Sequence, residues 1–272
     1  MFIGSNIMIF DGYLLCTDHD GTVAENGEIL PENRKAIDYF QQNGGIFTVA
    51  TGRRQDFVTE QYADIIKPHV PVIIANGTML YDITDRKIIH KEMLSPDHYG
   101  TLLDAYVHAD GANYLRIELE NETLWFKVGE AGKDLIIERL SGRDVSKIVL
   151  DFSDLEKTLC LQRYLTEKYC ENYNIVRSWA TGLELFSKGA GKGTSITLVK
   201  QYIAERLGTS IHTVIGMGDF ENDISLIEAA DIGVAMGNAP SCVKAHADYI
   251  AECSADAGAA KFIYSLGNTL RT

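Results

Sequence analysis

Tyr13-Leu14-Leu15-Cys16-Thr17-Asp18-His19-Asp20-Gly21-Thr22 is the stretch from which the fold can be worked out. Its apolar residues predict a short buried strand that ends directly before two aspartates. Carboxylates two residues apart point to the same side of an extended backbone, and open α/β sheets bind ligands beside the carboxyl ends of their strands. Like charges this close indicate a shared proton or a divalent cation, whereas an acidic turn with Asp20-Gly21 at its tip explains the motif alone equally well.

The chain that follows this stretch alternates between helical and strand patterns. Pro31 opens a helix that Gly44-Gly45 ends, and the strand Ile46–Ala50 follows at once. Apolar residues at helical spacing from Phe57 to Ile66 then precede a third strand, Val70–Ala75. Strands and helices that alternate through short connections predict a parallel sheet with helices on its faces.

The middle of the chain has a different texture, which begins after about residue 82 and ends near residue 188. Strands in close succession, joined by acidic turns, predict a mixed or antiparallel sheet. The predicted strands are Ile88–Glu92, Tyr114–Leu119, Thr123–Val128, Lys147–Phe152 and Asn174–Arg177, with helices at Pro96–His108, Lys133–Leu140 and Asp154–Lys168. The predicted fold class is α/β: a doubly wound, Rossmann-like parallel-sheet core of residues 1–82 and 188–272, with an inserted α+β domain of residues 83–187.

A second acidic motif, Gly218-Asp219-Phe220-Glu221-Asn222-Asp223, follows the predicted strand Thr213–Ile215 and opens a helix. Asp219 and Asp223 lie four residues apart at a helix N-terminus, where free backbone N–H groups favour an anion. Capping of that helix by Asp219 is the simpler interpretation of this motif by itself. Two acidic strand ends in one parallel sheet, however, form an oxygen-only site of the kind that Mg²⁺ occupies.

Two further motifs stand at the same edge of the predicted core. Thr51-Gly52-Arg53 ends the second strand and offers a hydroxyl and backbone amides to a phosphate, or forms an ordinary strand-to-helix turn. Gly189-Ala190-Gly191-Lys192-Gly193-Thr194 places one lysine among glycines before a helix. It lacks the spacing of a Walker A loop, so it is either a flexible loop or a lysine presented to a phosphate.

Composition limits the partners and the compartment. The 272 residues carry 25 basic and 38 acidic side chains, and the net charge of −13 disfavours nucleic acid as a partner. No apolar run is long enough to span a membrane, and Met1–Phe10 has no signal-peptide pattern. The five cysteines form an odd set without a Cys-x-x-Cys pair, which is typical of reduced thiols. These features predict a cytoplasmic protein, and they leave its oligomeric state open.

Taken in order, the four motifs resemble those of the haloacid dehalogenase-like (HAD) superfamily. The matching residues are Asp18-x-Asp20-Gly21-Thr22, Thr51-Gly52-Arg53, Lys192 and Gly218-Asp219-x-x-Asn222-Asp223. Ala75-Asn76-Gly77, the long insertion after it and Gly233-Val234-Ala235-Met236-Gly237-Asn238-Ala239 are similar to the Cof-type branch with a C2B cap. The resemblance covers essentially the whole chain, although His19 stands where the family often has an apolar residue.

The resemblance implies roles for the matching residues. Asp18 is the expected nucleophile toward a phosphomonoester, and Asp20 the expected general acid and base. The expected phosphate ligands are Thr51, Gly52, Lys192 and Asn222. Mg²⁺ is the expected cofactor, bound by Asp18, the Asp20 carbonyl and Asp219, with Asp223 acting on the metal through water.

The implied function is a Mg²⁺-dependent phosphatase for a small phosphorylated metabolite, namely a sugar phosphate, a nucleotide or a cofactor phosphate. Two alternatives remain open at this point. One is a phosphosugar mutase, which returns the phosphoryl group to a sugar. The other is a non-catalytic module that binds a phosphorylated ligand, although the four complete motifs argue against it.

Overall fold

A computed structural model describes residues 8–272, so most of the Met1–Phe10 stretch lies outside the described residues. The strands are β1 (Tyr13–Thr17), β2 (Ala24–Glu25), β3 (Glu28–Ile29), β4 (Ile46–Val49), β5 (Val72–Ile74), β6 (Met79–Asp82), β7 (Lys87–Lys91), β8 (Ala112–Glu118), β9 (Thr123–Lys127), β10 (Lys147–Phe152), β11 (Tyr173–Trp179), β12 (Gly182–Ser187), β13 (Thr213–Gly218), β14 (Ile232–Ala235) and β15 (Tyr249–Ile250). The α-helices are α1 (Pro31–Gln42), α2 (Gln55–Tyr62), α3 (Tyr99–Val107), α4 (Lys133–Leu140), α5 (Leu155–Tyr169), α6 (Lys192–Leu207), α7 (Ile224–Ala229), α8 (Ser241–Lys244) and α9 (Gly258–Thr269).

The chain forms two compact units. The first contains the residues up to Ile89 together with Lys192–Thr272, and the second contains His90–Gly191. The first is built on a parallel sheet with helices and the second on an antiparallel sheet with helices, so the predicted fold class is confirmed. Within residues 8–272, no helix combines the length and apolar character that crossing a bilayer requires.

The parallel sheet of the first unit brings two acidic strand ends side by side. Its strand order is β15-β14-β13-β1-β4, with β1 at an interior position between β13 and β4. The register aligns Thr17 at the end of β1 with Met217 near the end of β13. Because the two strands run in the same direction, the residues that follow them emerge at the same edge of the sheet.

The third predicted strand, Val70–Ala75, is shorter than expected and is paired differently. Only Val72–Ile74 is extended, and it joins the parallel sheet through a single bridge between Ala50 and Ile73. Its main pairing is antiparallel, with β6. Pro71 has no N–H to donate, and Ala75 and Asn76 adopt left-handed backbone angles, with φ of 48° and 59°, that turn the chain back on itself.

Two pairs of helices are in contact in the first unit: α1 with α9, and α6 with α7. On α1, the Asn33 side chain donates to the Val23 carbonyl at 2.8 Å and accepts from the Ala260 amide at the start of α9 at 2.9 Å. Helix α6 packs against α7 so closely that a Cβ at Gly193 would lie 2.0 Å from the Ser225 carbonyl oxygen. Glycine at this position therefore allows the first turn of α6, which carries Lys192, to pack on α7.

The second unit is an antiparallel sheet in the order β11-β12-β10-β8-β9. Its hydrophobic core includes Leu115, Ile117, Ile148, Leu150, Leu161 and Leu165. Charged residues alternate with these core positions along the strands. Lys147 on β10 lies opposite Glu118 on β8, and Val149 on β10 is flanked by Arg116 on β8 and Glu184 on β12. Strand β12 was absent from the predicted strands because its alternating segment follows β11 after only a two-residue turn, which hides the boundary between them.

Candidate active site

Three aspartates that the sequence places far apart lie together at the edge of the parallel sheet. Asp18 follows β1, and its amide donates to the Met217 carbonyl at 2.8 Å. Asp219 follows β13, and Asp223 closes the next turn. One carboxylate oxygen from each of the three lies within 4.8 Å of the other two. The strand register thus produces an acidic cluster at the position where α/β sheets bind ligands.

Lys192 lies inside this cluster. Its side chain is fully buried at the start of α6, and its Nζ donates to Asp18 Oδ1 and Asp223 Oδ1, both at 2.5 Å. A buried ammonium requires such partners, because an unpaired charge is costly to remove from water. Three carboxylates and one ammonium nevertheless leave the cluster with an excess of negative charge.

The excess charge changes the protonation of the cluster. Burial and the charge of Asp223 raise the pKa of Asp18 to about 7 and the pKa of Asp219 to about 8. Burial disfavours the charged form of Lys192, but the Asp18 and Asp223 carboxylates outweigh it and raise the pKa of Lys192 above its ordinary value. A cation bound here would stabilise the ionised carboxylates that the metal-free protein keeps partly protonated.

The donor set fits Mg²⁺, because it consists of carboxylate oxygens only. The three aspartates differ in how many hydrogen bonds they already accept. Both Asp223 oxygens are engaged: Oδ1 accepts from Lys192, and Oδ2 accepts from the amides of Asp219 at 2.9 Å and Phe220 at 3.2 Å. Asp18 and Asp219 are therefore better placed to bind a metal directly. The cap position of this turn is Phe220, and its amide donates to Asp223, so the interpretation that Asp219 caps the helix is wrong.

Asp219 is held in place by the loop that follows β1 and by Asn238. Asn238 Nδ2 donates to Asp219 Oδ2 at 3.1 Å and to the Gly21 carbonyl at 3.0 Å. Gly21 has a φ of +72°, and a Cβ there would lie 2.3 Å from Asp219 Oδ2. The close approach of this loop to Asp219 therefore requires glycine.

Asp20 lies outside the three-aspartate cluster, although the sequence predicts it as part of the metal site. Its carboxylate accepts two hydrogen bonds from Arg53, from Nε to Oδ2 and from Nη2 to Oδ1, both at 2.9 Å. Burial works to raise the pKa of Asp20, but the hydrogen bonds and the charge of Arg53 outweigh it and hold the pKa below its ordinary value. Metal binding by the Asp20 carbonyl stays a prediction.

Thr51 and Asn222, the expected phosphate ligands from two different motifs, are connected by Asn76. The Asn76 amide donates to the Thr51 carbonyl at 3.0 Å, and Asn76 Oδ1 accepts from Asn222 Nδ2 at 3.1 Å. The Thr51 hydroxyl accepts from the Arg53 amide at 3.1 Å. Gly52 lies between Thr51 and Arg53, so its amide belongs to the same turn.

Sequence reasoning gave no role to several residues that shape this site. They are His19, Arg53, Tyr62, Asn76 and Asn238. Arg53, Asn76 and Asn238 stand inside motifs that were recognised, and His19 stands between the two aspartates. These four residues could be singled out from their positions in the motifs, whereas Tyr62 could not. The contacts that all five make depend on tertiary structure.

Comparison with known proteins identifies the family. The model of the haloacid dehalogenase-like hydrolases matches residues 15–263, which is most of the chain. The chain belongs to this family of hydrolases, and the resemblance found in its four motifs is confirmed.

Two relatives align with the chain over nearly its full length. The 5-amino-6-(5-phospho-D-ribitylamino)uracil phosphatase YcsE of Bacillus subtilis is 29% identical, over 92% of this chain and 94% of the relative. The pyridoxal phosphate phosphatase YbhA of Escherichia coli is 27% identical, over 93% of this chain and 97% of the relative. Among solved structures, the HAD subclass IIB sugar phosphatase BT4131 has the same fold, with a TM-score of 0.75, 21% identity and coverage of 94% of this chain and 99% of the other.

Proposed function

We propose that this protein is a Mg²⁺-dependent phosphatase that hydrolyses a small phosphomonoester through an aspartyl-phosphate intermediate. The observation that carries the proposal is the buried Lys192, which binds Asp18 and Asp223 in a cluster that also contains Asp219. A fixed ammonium and a cation site at one sheet edge supply the positive charge that phosphoryl transfer requires.

Asp18 and Asp219 are the proposed metal ligands, with Asp223 fixing Lys192 and the turn that carries Asp219. When bound, Mg²⁺ would neutralise charge on the phosphate oxygens and so lower the barrier to nucleophilic attack. The proposed phosphate contacts are Lys192, the Thr51 hydroxyl, the Gly52 amide and the Asn222 side chain. These groups bind and orient the phosphate without taking part in bond making.

In the first half-reaction, a carboxylate oxygen of Asp18 attacks phosphorus. The bond between phosphorus and the leaving oxygen breaks, and its electron pair stays on that oxygen, which takes a proton from Asp20. Lys192 fixes the orientation of Asp18 through Oδ1. The products of this step are the aspartyl phosphate and the free alcohol.

In the second half-reaction, Asp20 acts as the base. It accepts a proton from water as the water oxygen attacks phosphorus, and the bond from phosphorus to Asp18 breaks to restore the carboxylate. Arg53 favours the ionised form of Asp20, which is the form that accepts this proton. The proton gained in this step is the one that Asp20 gives to the leaving oxygen in the next catalytic cycle. Inorganic phosphate is the second product.

The substrate class follows from the family and from the second unit. We propose that His90–Gly191, which overlaps the 83–187 insertion predicted from the sequence over residues 90–187, is a C2B-type cap and that it selects the leaving group. The relatives named above act on a phosphorylated ribitylaminouracil and on pyridoxal phosphate. A sugar phosphate, a nucleotide or a cofactor phosphate is accordingly the proposed substrate, in a cytoplasmic setting.

The test is a screen of phosphorylated metabolites with Mg²⁺, in which released phosphate is measured for the wild-type protein and for Asp18→Asn. We expect hydrolysis of at least one small phosphomonoester by the wild type and a loss of more than about 10⁴-fold in the variant. Circular dichroism should show that the variant is folded. Near-normal turnover by Asp18→Asn would exclude Asp18 as the nucleophile, and isomerised sugar phosphate without free phosphate would replace the phosphatase with a mutase.

A further inference from the structure

A row of ring side chains lies behind the arginine that binds Asp20. The Arg53 guanidinium carbon lies 4.9 Å from the centroid of the Phe57 ring. The Phe57 ring in turn contacts the His19 ring edge-to-face, with 4.7 Å between the centroids. His19 Nδ1 is hydrogen-bonded to the Tyr62 hydroxyl at 2.6 Å, and Tyr62 is fully buried. The row therefore runs from the protein core to the carboxylate of Asp20.

Three members of the row come from one short helix and the turn before it, and His19 comes from the loop after β1. Phe57 and Tyr62 belong to α2, and Arg53 stands four residues before Phe57 in the loop that enters the helix. The loop brings the guanidinium over the Phe57 ring, and a guanidinium in this position is attracted to the face of the ring. Arg53 is thus held on one side by Phe57 and on the other by Asp20, although half of its side chain is exposed, at 49%.

The contact between Arg53 and Asp20 fixes the plane of the carboxylate. Two parallel hydrogen bonds of 2.9 Å between a planar guanidinium and a carboxylate allow one relative orientation, which a single lysine contact would not impose. Asp20 is 45% exposed as a side chain, so packing alone would leave it several rotamers. The order of the Asp20 side chain therefore depends on Arg53.

We propose that Arg53 is the positioning residue for Asp20, supported by Phe57 and by the hydrogen-bonded pair of His19 and Tyr62. This inference rests on the proposed function, in which Asp20 protonates the leaving oxygen. It gives a role to His19, which occupies a position between the two aspartates that is often apolar in the family. It also gives Arg53 a role different from that of the groups proposed to bind the phosphate, because the Nε and Nη2 side of its guanidinium already binds Asp20.

The leaving group supplies a readout that distinguishes positioning of an acid from binding of a phosphate. When the bond from phosphorus to an alkyl oxygen breaks, the strongly basic alkoxide needs the Asp20 proton. A p-nitrophenolate is weakly basic and departs without it. Loss of a well-positioned general acid should therefore reduce hydrolysis of alkyl phosphates selectively, whereas loss of a phosphate contact should reduce both reactions equally.

The experiment measures kcat/KM for an alkyl phosphate from the substrate screen and for p-nitrophenyl phosphate, in the wild type and in Arg53→Gln. We expect a fall of about 100-fold for the alkyl phosphate, the lower range of general-acid effects, and less than about threefold for the aryl phosphate. Equal losses on the two substrates would overturn the proposal in favour of phosphate binding, and no loss on either would overturn it as well.

Controls separate this inference from the function on which it rests. If the wild type releases no phosphate from any substrate, the proposed function fails before the variant is compared. Arg53→Lys keeps the charge but not the fork, so we expect the same selectivity with a smaller loss. Arg34→Gln removes an exposed arginine from α1 and should leave both substrates unchanged. Thermal unfolding of each variant checks that the fold is retained.

Discussion

Each unit of the molecule contains a buried lysine that pairs with two carboxylates, but the two lysines have different surroundings. In the first unit, Lys192 Nζ lies 2.5 Å from both Asp18 and Asp223. In the second unit, Lys147 Nζ lies 2.7 Å from Glu184 and 3.8 Å from Glu118. Both side chains are essentially excluded from solvent. Burial of a paired lysine therefore does not by itself identify a functional site.

The difference between them is the balance of charge. Arg116 Nε lies 3.0 Å from Glu118 Oε1, so at least two cations, Lys147 and Arg116, pair with the carboxylates of the second cluster. The first contains Lys192 and three carboxylates, because Asp219 joins Asp18 and Asp223. A balanced cluster is complete in the folded chain, whereas an unbalanced one favours a cation from outside. We therefore interpret the Lys147 cluster as structural and the Lys192 cluster as a site.

In the comparison of the two lysines, the largest expected effect is on catalysis, when Lys192 is removed. Lys192→Met takes away a fixed positive charge from the phosphate and from Asp18, and we expect phosphate release to fall by about 10²–10³-fold. Steady-state kinetics with saturating Mg²⁺ measures this loss. A variant that keeps the wild-type rate would contradict the role assigned to Lys192.

The matched change in the second unit should act on stability instead. Lys147→Met leaves Glu184 buried without its ammonium, and breaking a buried pair from one side typically costs about 3–5 kcal/mol. Urea unfolding measures this loss of free energy. Added Mg²⁺ should not restore it, whereas Mg²⁺ should stabilise Lys192→Met. Restoration of Lys147→Met by Mg²⁺ would mean that the balanced cluster also binds a cation.

The charge imbalance also predicts how pH affects the metal-free protein. The pKa values of Asp18 and Asp219, about 7 and about 8, lie above the ordinary value of 3.8. The native state therefore keeps protons that the unfolded chain releases, so the contribution of these groups to stability is lost as the pH rises from about 4 to about 8. Mg²⁺ binds the ionised carboxylates, so it should raise Tm more at about pH 8.5 than at about pH 5.5. Equal increments at the two pH values would argue against metal binding by Asp18 and Asp219.

The smallest expected effect concerns the approach of the β1 loop to Asp219. Gly21 and Gly27 both have positive φ, of +72° and +84°, but only a Cβ at Gly21 would meet Asp219. Gly27→Ala should therefore cost about 1–2 kcal/mol of backbone strain and leave Mg²⁺ affinity unchanged. Gly21→Ala should show the same strain and also weaken Mg²⁺ binding, because its methyl group displaces Asp219. Calorimetric titration compares the two variants, and equal Mg²⁺ affinities would refute the proposed contact.

The sequence allowed the fold class and the meeting of Asp18 with Asp219 to be predicted, because strand ends in a parallel sheet share one edge. It did not reveal the reversal after Ile74, since that depends on left-handed angles at Ala75 and Asn76. The orientation of Asp20 was equally inaccessible. It depends on Arg53, 33 residues away, and on a rotamer that no local pattern determines.

The most direct test of the central claim is phosphate release by chelator-treated protein as Mg²⁺ is added back, for the wild type and for Asp219→Asn. The unbalanced cluster predicts no turnover without a divalent cation and saturable activation by Mg²⁺ in the wild type. It also predicts that Asp219→Asn needs much more Mg²⁺ for the same rate. Full activity of the metal-free wild type, or identical Mg²⁺ dependence of the two proteins, would contradict the claim that this cluster is a cation site for phosphoryl transfer.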